Sequence, residues 1–346
     1  MFAIPPIDDA AMRAARQRQA RLTKPPGSLG RLEDLSIRIA AMTGRLDPPL
    51  VQAVVFTLAA DHGVVEEGVS AYPAEVTAQM VLNFARAGAA INVLAHALGA
   101  RVLVADVGVK VDLPEQPGVR AVKVRRGTAN ITRGPAMTLD EAASAIEVGR
   151  RLVREENPDI AITGDMGIGN TTASAAVICA LTGLDPVLVV GRGTGVDDAG
   201  LERKRDAVRR ALAVNADAIS GGGIDALTAV GGLEIAGLVG VILEAAASRT
   251  PVIVDGFISG AAALVATAIA PAAVHYLIAS HLSQELGHAA VLSRLGLKPL
   301  LDLDLRLGEG TGGVLALPLV RASMRVLNEM ATFEDAGVSG PLGPAP

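Results

Sequence analysis

Six stretches of this chain are short, apolar and rich in β-branched residues, and each runs into glycine or polar residues. They are VQAVVFTLAADHG (51–63), RVLVADVGV (101–109), DIAITGDMGIGN (159–170), PVLVVGRGTG (186–195), PVIVDGFISG (251–260) and VHYLIASHLS (274–283). Ala- and Leu-rich segments of helical length separate them, such as GAAINVLAHALG (88–99) and GLEIAGLVGVILEAAAS (232–248). A strand that is apolar on both faces must be covered on both faces, so the pattern predicts a parallel sheet between two layers of helices, a doubly wound α/β fold. Two further helices are expected over 9–21 and 29–43, split by the turn KPPGSLG.

The core of such a fold must here be filled without rings. Half of the 346 residues are apolar, yet there are five Phe, two Tyr and no Trp. Small and aliphatic side chains suit closely packed helices on a sheet. The same scarcity, with a net charge of −5 and no basic stripe, removes the stacking platforms and the electrostatics that nucleic-acid binding needs. Cys179 is the only cysteine, so there is neither a disulfide framework nor a cysteine-based zinc site, and its setting AAVICAL reads as a buried, inert thiol. The N-terminal MFAIPPIDDA lacks the basic and apolar regions of a secretory signal. Gly256 to Gln284 carries no Asp, Glu, Lys or Arg, but Pro271 divides it, and it reads as a buried helix followed by a buried strand rather than a membrane span. A cytoplasmic protein is the expectation.

The polar strings cluster at the carboxyl ends of the expected strands, the edge where an open α/β sheet binds ligands. GDMGIGNTT (164–172) leads into a helical stretch, and its backbone N–H groups with the helix N-terminus form an anion site. It nearly matches a triphosphate P-loop, but Asn170 stands where the lysine belongs, so a single phosphate fits better. GRGTG (191–195) is a second such loop, with the Thr194 hydroxyl, and Arg192 or Lys204 available to neutralise a phosphate. Lys204 also reads as part of the solvated face of LERKRDAVRRAL. In DHGVVEEGVSAYP (61–73), Asp61 and His62 have no second His or Cys nearby to complete a metal site. The loop reads instead as a cover over the site, with Ser70, Tyr72 and Gln79 able to hydrogen-bond a heteroaromatic ring. Glu309 stands between two glycines in LRLGEGTGG; facing an apolar pocket, its carboxyl would shift up toward the working range of a general base. His96, His275, His281 and His288 read as core histidines, and no Ser–His pair is evident.

Together these strings carry a resemblance. KPPGSLGRLE (24–33), ADHGVVEEGVSAYPAEVTAQM (60–80), GDMGIGNTT, GRGTGVDDAGL (191–201), VGGLEIAGLVG (230–240), VDGFISGAAAL (254–264), SHLSQELGH (280–288), PLLDLDLRLGEGTGG (299–313) and MATFEDAGVS (330–339) stand in this order. The chain resembles the nicotinate-nucleotide–dimethylbenzimidazole phosphoribosyltransferases over nearly its whole length. The resemblance implies a six-stranded, mostly parallel, Rossmann-like sheet in a large domain (49–313). It also implies a small helical domain built from residues 1–48 and 314–346, and a homodimer. The substrates it implies are nicotinate mononucleotide and 5,6-dimethylbenzimidazole or a related azole, with no organic cofactor, no metal, no nucleic acid and no membrane. Glu309 takes the place of the family's general base, and Asp165 is expected beside it where some members carry Glu. Gly167, Gly169, Asn170, Thr171, Arg192, Gly193, Thr194, Gly195, Lys204 and Ser283 fall to the phosphate and ribose. Ser70, Tyr72 and Gln79 fall to the benzimidazole. Two other classes stand beside this reading. A P-loop-like kinase or NTPase needs a lysine at position 170, and a non-catalytic nucleotide-binding module has no need of Glu309.

Overall fold

The computed structural model describes residues 3–193 and 195–339, so Thr194 lies outside the described residues. In chain order the elements are α1 (Asp9–Arg21), α2 (Arg31–Thr43), β1 (Ala53–Ala60), α3 (Glu75–Ala85), α4 (Ala90–Leu98), β2 (Arg101–Gly108), β3 (Val119–Ala121), α5 (Leu139–Glu156), β4 (Ile160–Met166), α6 (Asn170–Thr182), α7 (Pro186–Val189), α8 (Asp198–Val214), α9 (Gly223–Val230), α10 (Leu233–Ala247), β5 (Val252–Val254), α11 (Phe257–Ile269), β6 (Leu277–Ala279), α12 (His288–Leu295) and α13 (Thr311–Glu329). The helices start where their caps dictate. Asp8 accepts from the Ala11 N–H at 2.8 Å to open α1, and Thr138 and Glu141 form a reciprocal capping box at the start of α5.

The six strands form one sheet in the order β3-β2-β1-β4-β5-β6, and every pair is parallel. The chain leaves β1 in one direction along the sheet and returns to its other side at β4, so the gap between their carboxyl ends is the switch point where such sheets bind ligands. Helices cover both faces. On β1, Leu58 meets α10 at Gly237, while Val55, of opposite parity, meets Gly310 at the start of α13. Ile162, the register partner of Val55 on β4, touches Gly313 on that same face. Every residue of β1 is buried, as two-sided cover requires.

Small residues set the layer spacing. On the α10 face, α5 and α10 approach so closely that a Cβ on Gly149 would collide with the carbonyl oxygen of Gly237. One on Gly240 would collide with that of Ile146. The first helices reach across the chain to the last one. The Arg18 guanidinium donates to the carbonyls of Leu327, Asn328 and Met330, and Leu22 forms an antiparallel bridge with Thr332.

Two expectations fail. Residues 186–195 are not a strand: Asp185 accepts from the Val187 N–H at 2.8 Å and Pro186 supplies a helical φ, so PVLV closes the single turn α7 before the glycine-rich loop. The sixth strand is β3 instead, three half-exposed or exposed residues at the sheet edge. The histidines divide as well. His281 and His288 are buried, whereas His96 and His275 are exposed on their helical turns. Cys179 is buried within α6, and burial pushes its thiol up to about 12. The charge-free stretch is α11 followed by β6, both buried apart from the end of the helix. Among the described residues, Glu75–Leu98 is long and apolar enough to span a bilayer by length and composition, but the chain breaks it into α3 and α4, with Ala87 at φ 58° between them.

Candidate active site

A cavity of about 620 Å³ opens at the switch point, and the sequence-predicted residues divide around it. Tyr72, Asp165, Gly167, Asn170, Thr171, Gly193, Ser283 and Glu309 line it. Gly169, Gly195, Arg192, Lys204, Ser70 and Gln79 do not form its wall, although each lies in a segment beside it. Thr194 is outside the described residues. The lining joins apolar side chains, those of Val76 and Met80 of α3, Ile168, and Phe257 and Ile258 of α11, with carboxylates and loop backbone. The site thus suits a ligand with one flat apolar part and one polar part.

Glu309 lies on the loop between Arg306 and α13. Its carbonyl oxygen accepts from the Thr57 hydroxyl at 3.0 Å, directly over the register pair Thr57–Gly164, and a Cβ on Gly164 would collide with that same oxygen. The backbone of Glu309 is left-handed, φ 64°, a conformation that costs a non-glycine residue energy and persists only where its surroundings fix it. Its carboxylate is 5% exposed and accepts one long hydrogen bond, 3.3 Å from the Ile91 N–H. Burial therefore raises the Glu309 pKa from the ordinary value, and the Ile91 amide offsets this only in part.

Asp165, at the end of β4, accepts from Asn170 Nδ2 at 2.9 Å. Burial, then the charges of Asp255 and Glu234, hold its carboxyl well above the usual carboxylate range. Asn170 is the position where a triphosphate P-loop has lysine; here its amide is committed to Asp165. Lys204 is a cation behind the cavity wall, and it is not on a solvated face. It is 1% exposed and reaches from α8 to donate to Thr171 Oγ1 at 3.1 Å, beneath Gly193. Burial lowers its pKa while the charge of Glu285 opposes the shift. Arg192 turns away, donating to the Val196 carbonyl at 3.0 Å and pairing with Asp198. Ser70 accepts from the Tyr72 N–H at 3.1 Å, and Gln79 is exposed on α3.

Four groups beside the cavity escape the sequence reading. Arg306 lines it and donates to the Gly193 carbonyl at 3.0 Å, joining the two glycine-rich loops; its place as the one cation in LDLDLRLGEG is the signal that marks it. Glu285 also lines it, behind Gly191. His281 lines it too, and burial pulls its pKa down to about 4. The expected absence of a Ser–His pair needs correcting, because Ser280 Oγ lies 2.9 Å from His281 Nδ1. That hydroxyl is fully buried and donates to the Asp255 carbonyl at 2.8 Å, so it is not placed as a nucleophile.

Beneath the GDMGIGN loop, His62 Nε2 lies 2.6 Å from Glu234 Oε1 with both side chains out of solvent. His62 also fills the space under Gly167 and Gly169. Burial alone would depress its pKa, but the charge and hydrogen bond of Glu234 outweigh it, and the net shift is upward from 6.5. Breaking such a pair from one side typically costs ~3–5 kcal/mol, so Glu234→Gln is expected to lower stability by that order. The sign follows from the raised value. The contribution is fully present below pH 6.5 and is lost as pH rises through the folded pKa. Denaturant unfolding of the wild type and Glu234→Gln across pH 5.5–9 checks this, and a difference that does not shrink toward alkaline pH rules it out. Among the described residues, no group of three or more His, Cys, Asp or Glu is placed to hold a metal ion.

Comparison with known proteins agrees with this geometry. A family model described as phosphoribosyltransferase matches residues 4–338. A nicotinate-nucleotide–dimethylbenzimidazole phosphoribosyltransferase of Chloroflexus aggregans is 59% identical over 339 residues, 97% of this chain and 96% of that protein. The enzyme of the same name from Desulforudis audaxviator is 55% identical over 97% of this chain and 96% of its own length. A crystal structure of CobT from Thermus thermophilus superimposes with a TM-score of 0.92 at 53% identity, covering 96% of this chain and all of that one. With the family model spanning nearly the whole sequence and relatives this similar over their full lengths, the chain belongs to the nicotinate-nucleotide–dimethylbenzimidazole phosphoribosyltransferase family.

Proposed function

We infer that this chain moves the 5-phosphoribosyl group of nicotinate mononucleotide to 5,6-dimethylbenzimidazole. The products are α-ribazole 5′-phosphate and nicotinate, for the nucleotide loop of cobalamin. The observation that carries this reading is a buried carboxylate with a raised pKa, Glu309, in the wall of a cavity lined by apolar side chains and by glycine-rich loops. Departure of the pyridinium neutralises its ring charge, so the leaving group needs no proton. The nucleophile needs help. One azole nitrogen attacks the anomeric carbon while Glu309 takes the proton from the other, and the product ring leaves uncharged. Asp165 lines the cavity beside that path, where positive charge developing on the sugar favours its ionised form against the burial that raises its pKa. Asn170 supports the single-phosphate reading over an NTPase, because its amide is held by Asp165 where a triphosphate clamp would need a lysine. Tyr72, Val76 and Met80 offer the flat ring its contacts, and Arg306 and Lys204 supply positive charge near Gly193 for the phosphate. The reading includes a cytoplasmic location and a homodimer, and sedimentation of the purified chain tests the dimer.

Direct displacement inverts the anomeric carbon, so the β-linked mononucleotide is expected to give an α-riboside. A covalent ribosyl-enzyme would give retention. The candidate nucleophiles are poor: Cys179 is buried with a raised pKa, and the Ser280 hydroxyl is committed to a carbonyl. Incubation of the purified chain with both substrates, followed by mass analysis and proton NMR of the product, tests reaction and stereochemistry together. No transfer refutes the function, and a β-riboside refutes the direct route.

A further inference from the structure

We propose that Asp255 is a positioning residue for Glu309, gripping the backbone on the far side of the loop and thereby holding the base against the reacting centre. Asp255 directly follows β5, and its side chain is fully shielded from solvent. Its Oδ2 accepts from the Gly310 N–H at 3.1 Å and its Oδ1 from the Gly313 N–H at 2.9 Å. These are the N-cap and the third residue of α13, a helix whose own N-cap offers no side-chain acceptor. A carboxylate 55 positions away in sequence thus satisfies amides that every helix start leaves free, and does so where the helix dipole favours a negative charge. The next residue back is Glu309, in its left-handed backbone conformation.

The grip is built from both directions. Asp255 is itself fixed, its N–H donating to Thr163 Oγ1 at 3.1 Å and its carbonyl accepting from Ser280 at 2.8 Å. Glu309 is anchored by Thr57 on the other side of its peptide. With Asp255 absent, Gly310 is free to rotate, and the strained residue before it relaxes. The ionisable groups that face Asp255 are Glu309 on the loop, Asp165 at the end of β4 and His281 after β6, whose Nδ1 is 3.9 Å from Oδ1. Burial holds the Asp255 carboxyl up at about 7, even against the amides of Gly313, Gly310 and Gly312. Removing its charge relieves Asp165, whose carboxyl the charge of Asp255 pushes up.

This inference rests on Glu309 as the base, so Glu309→Gln is run in parallel with Asp255→Ala and Asp255→Asn. Asp255→Ala is expected to lower kcat by ~10–100-fold with the KM for nicotinate mononucleotide within about threefold, the signature of a misplaced group rather than lost binding. Asp255→Asn, which keeps an acceptor oxygen, is expected to recover part of the loss. Amide hydrogen exchange of the peptide around Gly310 and Gly313 is expected to quicken in both variants, a readout independent of turnover. Wild-type kcat and unchanged exchange in either folded variant would overturn the proposal; should Asp255→Ala not fold, Asp255→Asn alone decides it. Retained turnover in Glu309→Gln refutes the base assignment instead, and the exchange measurement still reports whether Asp255 holds the loop.

Discussion

Glu309→Gln is expected to fold as the wild type does and to lose ~10²–10⁴-fold in kcat, the usual cost of removing a positioned base. Glutamine keeps the shape and an oxygen for the Ile91 N–H but takes no proton. The substrates' affinities should change little, because the cavity wall is otherwise intact. The pH dependence carries the sharper test. The working form of the base is the ionised one, and burial raises the Glu309 pKa from 4.5, so kcat should climb with pH through a limb above the ordinary carboxylate range. In the variant that limb should vanish from the residual rate. Turnover near that of the wild type, or the same acid limb in the variant, would remove Glu309 from the chemistry.

The second large effect concerns the fold. Replacing glycine by alanine inside a helix ordinarily stabilises it, by roughly 0.5–1 kcal/mol. At Gly240 the sign should reverse. A methyl group there collides with the Ile146 carbonyl oxygen, backbone against backbone, and no rotamer change relieves it. The two helices must separate, which opens the face of the sheet they cover. Gly240→Ala is expected to cost on the order of 3 kcal/mol, a large share of a domain's whole margin, and Gly240→Leu to leave too little for a stable fold. Urea midpoints measure this; an unchanged midpoint for Gly240→Ala would show that the helices do not approach as described.

What the sequence reveals and what it hides follow from range. α1 is read to its ends, because Asp8 before an amphipathic run is a local signal. β1, β2, β4, β5 and β6 are read from two-sided apolar runs, and the loops after them from glycine. PVLVV misleads because β-branched residues suggest a strand while the proline and aspartate before them start a turn of helix. VRA, the true edge strand, has no apolar run at all. Lys204 was legible in part. It shares a stripe with Ala207, Val208 and Ala211, all buried, a spacing that places it inward despite its charged neighbours. The pair His62–Glu234 spans 172 positions and the Asp255 grip 55, and no local pattern joins either. The site's loops were visible; the contacts that hold them still were not.

The reach of Arg18 to the end of α13, and of Leu22 to Thr332 just beyond it, has a consequence for how the molecule is made. A ribosome delivers α1 and α2 early, but the carbonyls that Arg18 caps lie some 309 positions downstream. During synthesis Arg31 and Arg38 of α2 find the carbonyls of Lys298, Pro299 and Leu277 first, while Arg18 at the end of α1 still waits for its partners. The carboxylate of Asp255 waits as well, since the amides of Gly310 and Gly313 are not yet present. Only when α13 emerges do both vacancies fill, the reactive loop at one end of a single helix and Arg18 of α1 at its other end. Nascent chains should therefore hold a nearly finished sheet with no catalytic competence, and competence should arrive in one step with the last helix.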